Sequence, residues 1–248
     1  MERWNGKTAV VTGASSGIGA TVAVRLADAG MRVVGLARRS DLVDDLKASV
    51  TGSGSIHSVK CDVAKAQEIA AVFELIEREH GCVHVLVNNA GVIYKGSITE
   101  MHNCELSDEQ ILSTIDINLS ALILCNRYAL KSMRKHSFDG HIININSMAG
   151  HYVPFNVWFN VYTTSKHAVT TFTTSLQCEL AQANSAIKVT SISPGLVRTS
   201  ITEGAENLEG IPMLETSAVA DSLLHVLATP PTLNITELTL MHVGEKRL

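Results

Sequence analysis

Tyr162 and Lys166 are the side chains whose types and spacing most clearly predict chemistry, because they lie four positions apart where a helix is expected to begin. Residues i and i+4 share one face of a helix, so the phenol and the ammonium would be presented together. A free phenol has a pKa near 10, but a nearby ammonium favours the phenolate and lowers that pKa. The pair therefore predicts acid-base catalysis by Tyr162, although a tyrosine and a lysine at this spacing are also common on ordinary helices. Tyr94 and Tyr152 lack a cation four positions further on.

A glycine-rich turn at residues 12–19 follows an apolar segment and leads into a helical one. Glycines allow the backbone to turn tightly and to approach phosphates closely, and the helix N-terminus offers free N–H groups. Ordinary tight turns use the same residues, but the position between strand and helix favours a dinucleotide site. The expected contacts come from Gly13, Ser15, Ser16, Gly17, Ile18 and Gly19.

Arg38 and Arg39 occupy the place that selects the coenzyme, directly after the second apolar segment. An acid about twenty residues past the glycines would bind the ribose 2′-hydroxyl of NAD, whereas an arginine accommodates the 2′-phosphate of NADP. The first carboxylate here is Asp41, and a guanidinium binds phosphate through charge-assisted hydrogen bonds. The sequence therefore predicts NADP(H), with Arg38 as the main contact. The alternative is that both arginines are solvated loop residues.

The elements that must position these residues alternate along the chain. Short apolar, β-branched segments typical of buried strands lie at 8–11, 32–36, 56–59, 83–87, 141–145 and 188–192, and residues 235–240 alternate like one last strand. Segments with helical periodicity lie at 18–29, 64–79, 108–134, 165–183 and 218–227. This alternation predicts an α/β fold, a single Rossmann-type doubly wound parallel sheet with helices on both faces. No repeat or linker marks a boundary, so we expect one domain over residues 1–248.

Several motifs in one order resemble the short-chain dehydrogenase/reductase family over essentially the whole chain. They are T-G-x-x-x-G-x-G at 12–19, N-N-A-G at 88–91, Y-x-x-x-K at 162–166 and P-G at 194–195. The resemblance implies hydride transfer with a nicotinamide coenzyme in a homodimer or homotetramer. It also implies that Tyr162 and Lys166 contact the coenzyme, Lys166 at the nicotinamide ribose. Further implied contacts are Asp62 and Val63 near the adenine, Asn89, Ala90 and Gly91 along the ribose, and Pro194, Gly195, Val197 and Thr199 at the nicotinamide.

Ser147 and Asn118 complete the catalytic set that this resemblance implies. Ser147 follows the fifth strand and matches the serine that hydrogen-bonds the substrate oxygen. Asn118 lies within the long helix and matches the asparagine that holds a water in the proton relay. Each has an ordinary alternative, because a serine at a strand end often satisfies backbone groups and an asparagine within a helix can cap a kink.

Two apolar segments are expected to border the substrate. A loop at 151–161 is slightly longer than the family norm and aromatic, and the segment after P-G acts as a substrate lid in the family. Arg198 is the only basic residue among those expected to line the pocket, whereas a charged substrate would need a cation. We therefore predict a medium or long apolar alcohol, or its aldehyde or ketone, such as the isoprenoid farnesol. The alternative is that the loop rings pack against the core or another subunit. The lining residues would be Phe155, Val157, Trp158, Phe159, Ile201, Leu208, Ile211, Pro212, Met213 and Leu214.

Within the family, the chain resembles the branch of insect farnesol dehydrogenases and NADP-linked carbonyl reductases. The resemblance rests on A-R-R at 37–39, I-N-S-M at 145–148, the longer loop and T-P-P at 229–231. A broad-specificity carbonyl or steroid reductase of the same family is the alternative. Extended epimerases or dehydratases have another glycine spacing and a longer chain, and a non-enzymatic NADPH sensor would predict an incomplete catalytic set.

Composition narrows the function further. The net charge is −4 with acids and bases mixed, which gives no footprint for nucleic acid. No apolar run could span a bilayer and the N-terminus lacks a secretory signal, so we expect a cytoplasmic protein. The five scattered cysteines are expected to be reduced packing residues, and the ten histidines to be surface residues without a metal motif.

Overall fold

The computed structural model describes residues 1–99, 104–153, 157–199, 202 and 211–245. Within these residues the strands are β1 (Thr8–Thr12), β2 (Arg32–Ala37), β3 (Ser55–Lys60), β4 (Val85–Asn88), β5 (His141–Ile145), β6 (Lys188–Pro194) and β7 (Glu237–Leu240). The α-helices are α1 (Gly17–Asp28), α2 (Ser40–Asp45), α3 (Ala66–His80), α4 (Asp108–Ile115), α5 (Ala121–Lys135), α6 (Asn160–Gln182) and α7 (Thr216–Ala228). Short 3-10 helices lie at Glu2–Trp4, Leu46–Ser49, Met148–Gly150 and Val157–Phe159.

The seven strands form one sheet in the order β3-β2-β1-β4-β5-β6-β7, and every neighbouring pair is parallel. Helices α1 and α7 contribute to the apolar core on one face, and α3, α5 and α6 to the core on the other. The predicted doubly wound parallel sheet is therefore confirmed. Its order reverses between β1 and β4, and in open α/β sheets ligands bind at such a point, beyond the carboxyl ends of the strands.

Burial differs between the centre and the edges of this sheet. Strands β1, β4, β5 and β6 are buried along their whole length, as predicted. Strands β3 and β7 are largely half-exposed or exposed. The prediction of burial on both faces is therefore wrong for β3, whereas for β7 only an alternating last strand is predicted. Each lies at an edge of the described sheet and has one neighbouring strand, which leaves its other side less covered.

Two predicted helices differ from those observed. The segment predicted as one helix over 108–134 is interrupted by a π-helical turn, Asp116–Ser120, between α4 and α5. The helix predicted to start at Ser165 begins at Asn160, so that Tyr162 and Lys166 both lie inside α6.

The predictions for histidines and cysteines need correction. His141 is fully buried at the start of β5 instead of lying at the surface. All five cysteines are free, but Cys104 and Cys178 are exposed and are not packing residues. Within the part of the chain described, no helix is long and apolar enough to cross a membrane.

Candidate active site

The glycine turn lies between β1 and α1, and its shape excludes side chains at two of its glycines. Gly13 has a φ of +67°, and a Cβ there would lie 2.9 Å from the Cα of Ala90. A Cβ on Gly19 would lie 2.3 Å from the main-chain oxygen of Gly13. Ser16 precedes the first residue of α1 and its side chain makes no capping hydrogen bond. The turn therefore opens on the N-terminus of a helix, which is suited to bind a pyrophosphate.

Thr12 ties this turn to the end of β4. Its Oγ1 accepts hydrogen bonds of 3.0 Å from the main-chain N–H groups of Asn89 and Ala90. The Asn89 amide donates in return to the main-chain oxygens of Thr12, at 3.0 Å, and Gly13, at 3.2 Å. The two motifs that the sequence places far apart are thus fixed against each other at the reversal point of the sheet.

Arg38 and Arg39 are exposed and follow β2 directly. Neither guanidinium forms a hydrogen bond or an ion pair with any residue in the described ranges. Asp62 and Val63 follow β3, on the neighbouring strand, and both are half-buried. Asp62 Oδ1 accepts a hydrogen bond of 3.1 Å from the N–H of Ala64. The side chains predicted for the adenine half of the coenzyme therefore lie on adjacent strand ends.

The loop after β6 is held from three directions. The N–H of Gly195 donates to the Leu240 oxygen on β7 at 2.7 Å, and the N–H of Leu196 donates to Oε1 of Glu245 at 3.0 Å. Val197 is buried and pairs with Leu214, which brings residues 211–214 back beside the loop. Thr199 lies against the glycine turn, because a Cβ on Gly17 would be 3.2 Å from its methyl group. Both expected ends of the coenzyme are therefore bordered by fixed backbone.

Tyr162 and Lys166 share a face of α6, and the Lys166 Nζ lies 5.8 Å from the centroid of the Tyr162 ring. Lys166 is buried, and its Nζ donates a hydrogen bond of 3.0 Å to the main-chain oxygen of Ile145. Burial lowers the pKa of Lys166 to about 8. Burial also raises the pKa of Tyr162, against which only the contact with the Ser147 hydroxyl acts. The prediction that the Lys166 ammonium lowers the Tyr162 pKa is therefore wrong, because the effect of burial on this pKa dominates.

Ser147 lies at the end of β5 and contacts Tyr162. Its Oγ also accepts a hydrogen bond of 3.1 Å from the N–H of Ala149 and so caps the 3-10 helix Met148–Gly150. Ser147 therefore both satisfies a backbone N–H, as serines at strand ends often do, and lies in contact with Tyr162.

Asn118 lies in the π-helical turn and is buried. Its Oδ1 accepts from the N–H of Val92 at 2.8 Å, and its Nδ2 donates to the oxygen of Val92 at 2.9 Å and to Oγ of Ser165 at 3.1 Å. Gly91 packs beside it, since a Cβ there would be 3.4 Å from Asn118 Oδ1. Asn118 thus joins the loop after β4 to the helix that holds Tyr162 and Lys166, and π-helical turns are frequent at functional sites.

The residues predicted to line the substrate pocket are described only in part. Phe155, Ile201, Leu208 and the side chain of Val157 lie outside the part of the chain that the structure describes. Trp158 and Phe159 are half-buried. The main-chain oxygen of Trp158 accepts a hydrogen bond of 3.0 Å from the N–H of Gly96, and the Nζ of Lys95 lies 5.8 Å from the centroid of the Trp158 ring. Ile211, Pro212, Met213 and Leu214 are half-buried.

Sequence reasoning missed four residues that shape this site. They are Lys95 beside Trp158, Glu245 on the loop after β6, Ser165 beneath Asn118, and Thr170 on α6. Ser165 occupies a variable position of Y-x-x-x-K and the other three belong to no motif given above, so each matters through a contact distant in sequence. Among the described residues, no group of histidines, cysteines and carboxylates could hold a metal ion.

A glycine turn at the reversal point of a parallel sheet, beside a Tyr–Lys pair on a neighbouring helix, defines a dinucleotide-dependent oxidoreductase. Residues 7–209 match the family model described as short chain dehydrogenase. The chain belongs to the short-chain dehydrogenase/reductase family, whose members use nicotinamide coenzymes.

Two relatives and one solved structure place the chain within this family. It is 48% identical to the farnesol dehydrogenase of Aedes aegypti, over 99% of this chain and 100% of that protein. It is 36% identical to dehydrogenase/reductase SDR family member 11 of Mus musculus, over 95% of this chain and 94% of that protein. The closed form of a serine dehydrogenase complexed with NADP+ superposes with a TM-score of 0.85 at 27% identity, over 96% of each chain.

Proposed function

We propose that the protein is an NADP(H)-dependent dehydrogenase/reductase that interconverts a medium or long apolar alcohol, such as farnesol, and its aldehyde or ketone. The observation on which this rests is the convergence of Ser147, Tyr162 and Lys166 with the glycine turn at one edge of the sheet. The similarity to a farnesol dehydrogenase at 48% identity supports the substrate class.

The coenzyme assignment is supported by the two ends of the site. Gly13 and Gly19 leave no room for a Cβ. This agrees with a coenzyme site, because the backbone must approach the pyrophosphate closely there. The guanidinium groups of Arg38 and Arg39 are exposed and unpaired within the described residues, so a 2′-phosphate could bind them without breaking an ion pair. These residues fit NADP(H), which when bound supplies or accepts the hydride.

The proton chemistry is assigned to this chain's own residues. Tyr162 gives a proton to the carbonyl oxygen in reduction, or takes it from the hydroxyl in oxidation, and Ser147 hydrogen-bonds the same oxygen. Lys166, with a pKa of about 8, can exchange a proton near neutral pH. Asn118 is assigned to hold a water in the proton relay, and its hydrogen bonds fix the loop after β4 against α6.

An apolar substrate is supported by the residues that border this edge. Ile211, Pro212, Met213 and Leu214 lie beside the loop after β6. Arg198, the basic residue of the expected lining, is exposed and its Nε binds Glu215 at 3.0 Å. The charge of Arg198 is therefore paired with the carboxylate of Glu215 and is not reserved for an anionic substrate.

The proposal includes the organisation of the chain. The strands of the one described sheet extend from residue 8 to residue 240, which supports a single domain over 1–248. We place the enzyme in the cytoplasm as a homodimer or homotetramer, and light scattering of the purified protein tests the oligomeric state.

Coenzyme choice is tested with Arg38→Ala and Arg39→Ala. Losing one charge-assisted phosphate contact removes about 1.5–3 kcal/mol, so the Kd for NADP(H) should rise about 10- to 150-fold while that for NAD(H) changes little. Arg78→Ala is the matched control, because Arg78 is an exposed arginine in the last turn of α3. Equal affinities of the parent protein for both coenzymes would refute the assignment.

Substrate class is tested by measuring kcat/KM for primary alcohols of increasing chain length, together with farnesol. Each buried methylene contributes about 0.8 kcal/mol, so kcat/KM should rise about fourfold per carbon until the pocket is full. A flat profile, or a preference for small polar alcohols, would contradict the apolar pocket. Equal kcat/KM for steroids and unrelated ketones would instead favour a broad-specificity carbonyl or steroid reductase.

A further inference from the structure

Thr170 lies one turn beyond Lys166 on α6 and is half-buried. Its hydroxyl forms hydrogen bonds with residues outside α6. Its Oγ1 donates to the main-chain oxygen of Gly150 at 2.9 Å and accepts a hydrogen bond of 2.8 Å from Nδ2 of Asn146. The oxygen of Lys166, the usual partner of a helical threonine, is further away at 3.3 Å. The hydroxyl is therefore committed to a contact outside its own helix.

The two partners of Thr170 lie on either side of Ser147. Asn146 immediately precedes Ser147, and Gly150 ends the 3-10 helix that the Ser147 side chain caps. At Gly150 the backbone touches α6 so closely that a Cβ would lie 2.8 Å from the oxygen of Lys166. Both ends of the turn that carries Ser147 are thus bound to one point on the helix that carries Tyr162.

We propose that Thr170 is a positioning residue that sets Ser147 relative to Tyr162. The inference rests on the proposed function, because it assigns Thr170 to the same pair of reacting side chains. Asn146 also donates its main-chain N–H to the Ile192 oxygen at 2.7 Å, which fixes the strand side of the turn. Among the described residues, the Thr170 hydroxyl is the only side-chain group of α6 that hydrogen-bonds both ends of that turn. Its loss would free the turn to shift along the helix.

A shift of this turn would change catalysis more than coenzyme binding. Reacting groups must be held in near-attack geometry, and a misplacement of 1 Å can cost about 100-fold in rate. The contact with Ser147 also opposes the effect of burial on Tyr162, and Lys166 is the charged group that faces the same ring. Neither Arg38 nor the glycine turn contacts Thr170.

The test compares Thr170→Val, which keeps the shape and removes the hydroxyl, with Thr170→Ser, which keeps the hydroxyl. We expect Thr170→Val to lower kcat about 10- to 100-fold, with the Kd for NADP(H) within about twofold of the parent value. The pH profile of kcat should shift to higher pH, because the pKa of Tyr162 loses the opposing contact. Thr170→Ser should restore most of kcat. Thr174→Val is the matched control, since the exposed Thr174 hydroxyl donates within its own helix, to the Thr170 oxygen at 3.1 Å.

Asn146→Ala removes one of the two contacts and serves if Thr170→Val does not fold. It should lower kcat in the same direction by a smaller factor. Parent kcat and pH profile in Thr170→Val, or equal loss in the valine and serine variants, would overturn the positioning role. Tyr162→Phe is measured in parallel: turnover at the parent level in that variant would refute the proposed function itself, whatever Thr170 does.

Discussion

His141 is a buried neutral base, and replacing it should change how the stability of the protein depends on pH. Its side chain is fully buried, and its Nε2 bonds Oγ1 of Thr190 at 2.8 Å. Its Nδ1 has no hydrogen-bond partner among the described residues. Burial, with the nearby Lys188 as a further cause, lowers its pKa to about 3. Protonation in the folded state would place an unpaired charge between two strands.

The size of the effect follows from the difference between this pKa and the usual value near 6.5. As the pH falls, the unfolded chain binds the proton first, so the stability contribution is present above pH 6.5 and is lost progressively toward pH 3. Between pH 7.5 and pH 5 the unfolded state gains nearly a full proton at this site. The expected loss of unfolding free energy from His141 alone is about 2 kcal/mol over that interval.

The assay is urea unfolding at pH 7.5 and pH 5, followed by tryptophan fluorescence and circular dichroism, for the parent and His141→Gln. The glutamine amide can still reach the Thr190 hydroxyl but does not titrate. The loss of stability between the two pH values should therefore be about 2 kcal/mol smaller in the variant. His84, whose pKa burial lowers to about 4, is present in both proteins and cancels in the difference. His225→Gln, on the exposed side of α7, makes the same replacement at the surface. If the parent and His141→Gln lose equal stability, the reasoning about His141 is wrong.

Three further predictions concern the site. Tyr162→Phe should lower kcat about 100- to 10,000-fold while coenzyme titration by fluorescence gives the parent Kd, because only the proton donor is lost; parent kcat would contradict this. Gly19→Ala should lower the unfolding free energy by about 1–3 kcal/mol and raise the KM for coenzyme, because its Cβ would lie 2.3 Å from the Gly13 oxygen; an unchanged KM and melting temperature would refute it. Glu245→Ala should raise the coenzyme KM by releasing the N–H of Leu196, whereas Glu245→Gln, which keeps an acceptor oxygen, should restore it; equal KM values in both variants would show that the acceptor is not needed.

The strands and the glycine turn could be predicted because their signals are local. Runs of β-branched residues give the strands, and glycines between a strand and a helix give the turn. Burial at the sheet edges could not be predicted in this way. The apolar Ile56 and Val59 make β3 resemble a buried strand, but only Ile56 is buried, because β3 lies at an edge of the described sheet.

The details of the site depend on contacts between distant segments. The π-helical turn is stabilised by the bonds of Asn118 to Val92 and Ser165, which no periodicity in the sequence indicates. The pKa of Tyr162 also follows from how deeply α6 is packed, and not from the four-residue spacing to Lys166. The spacing identifies the pair, whereas the packing sets the direction of its pKa shift.

The parallel order of the sheet has a consequence for the time course of folding. Ala9 on β1 pairs with Val85 on β4, although β2, β3, three α-helices and one 3-10 helix lie between these two strands in the chain. Such non-local pairing requires a large loop to close and is slow compared with helix formation. The proposed coenzyme site beyond β1 and β4 cannot form until that closure is complete. During refolding, helical content therefore rises first and the ability to hold a dinucleotide is acquired last.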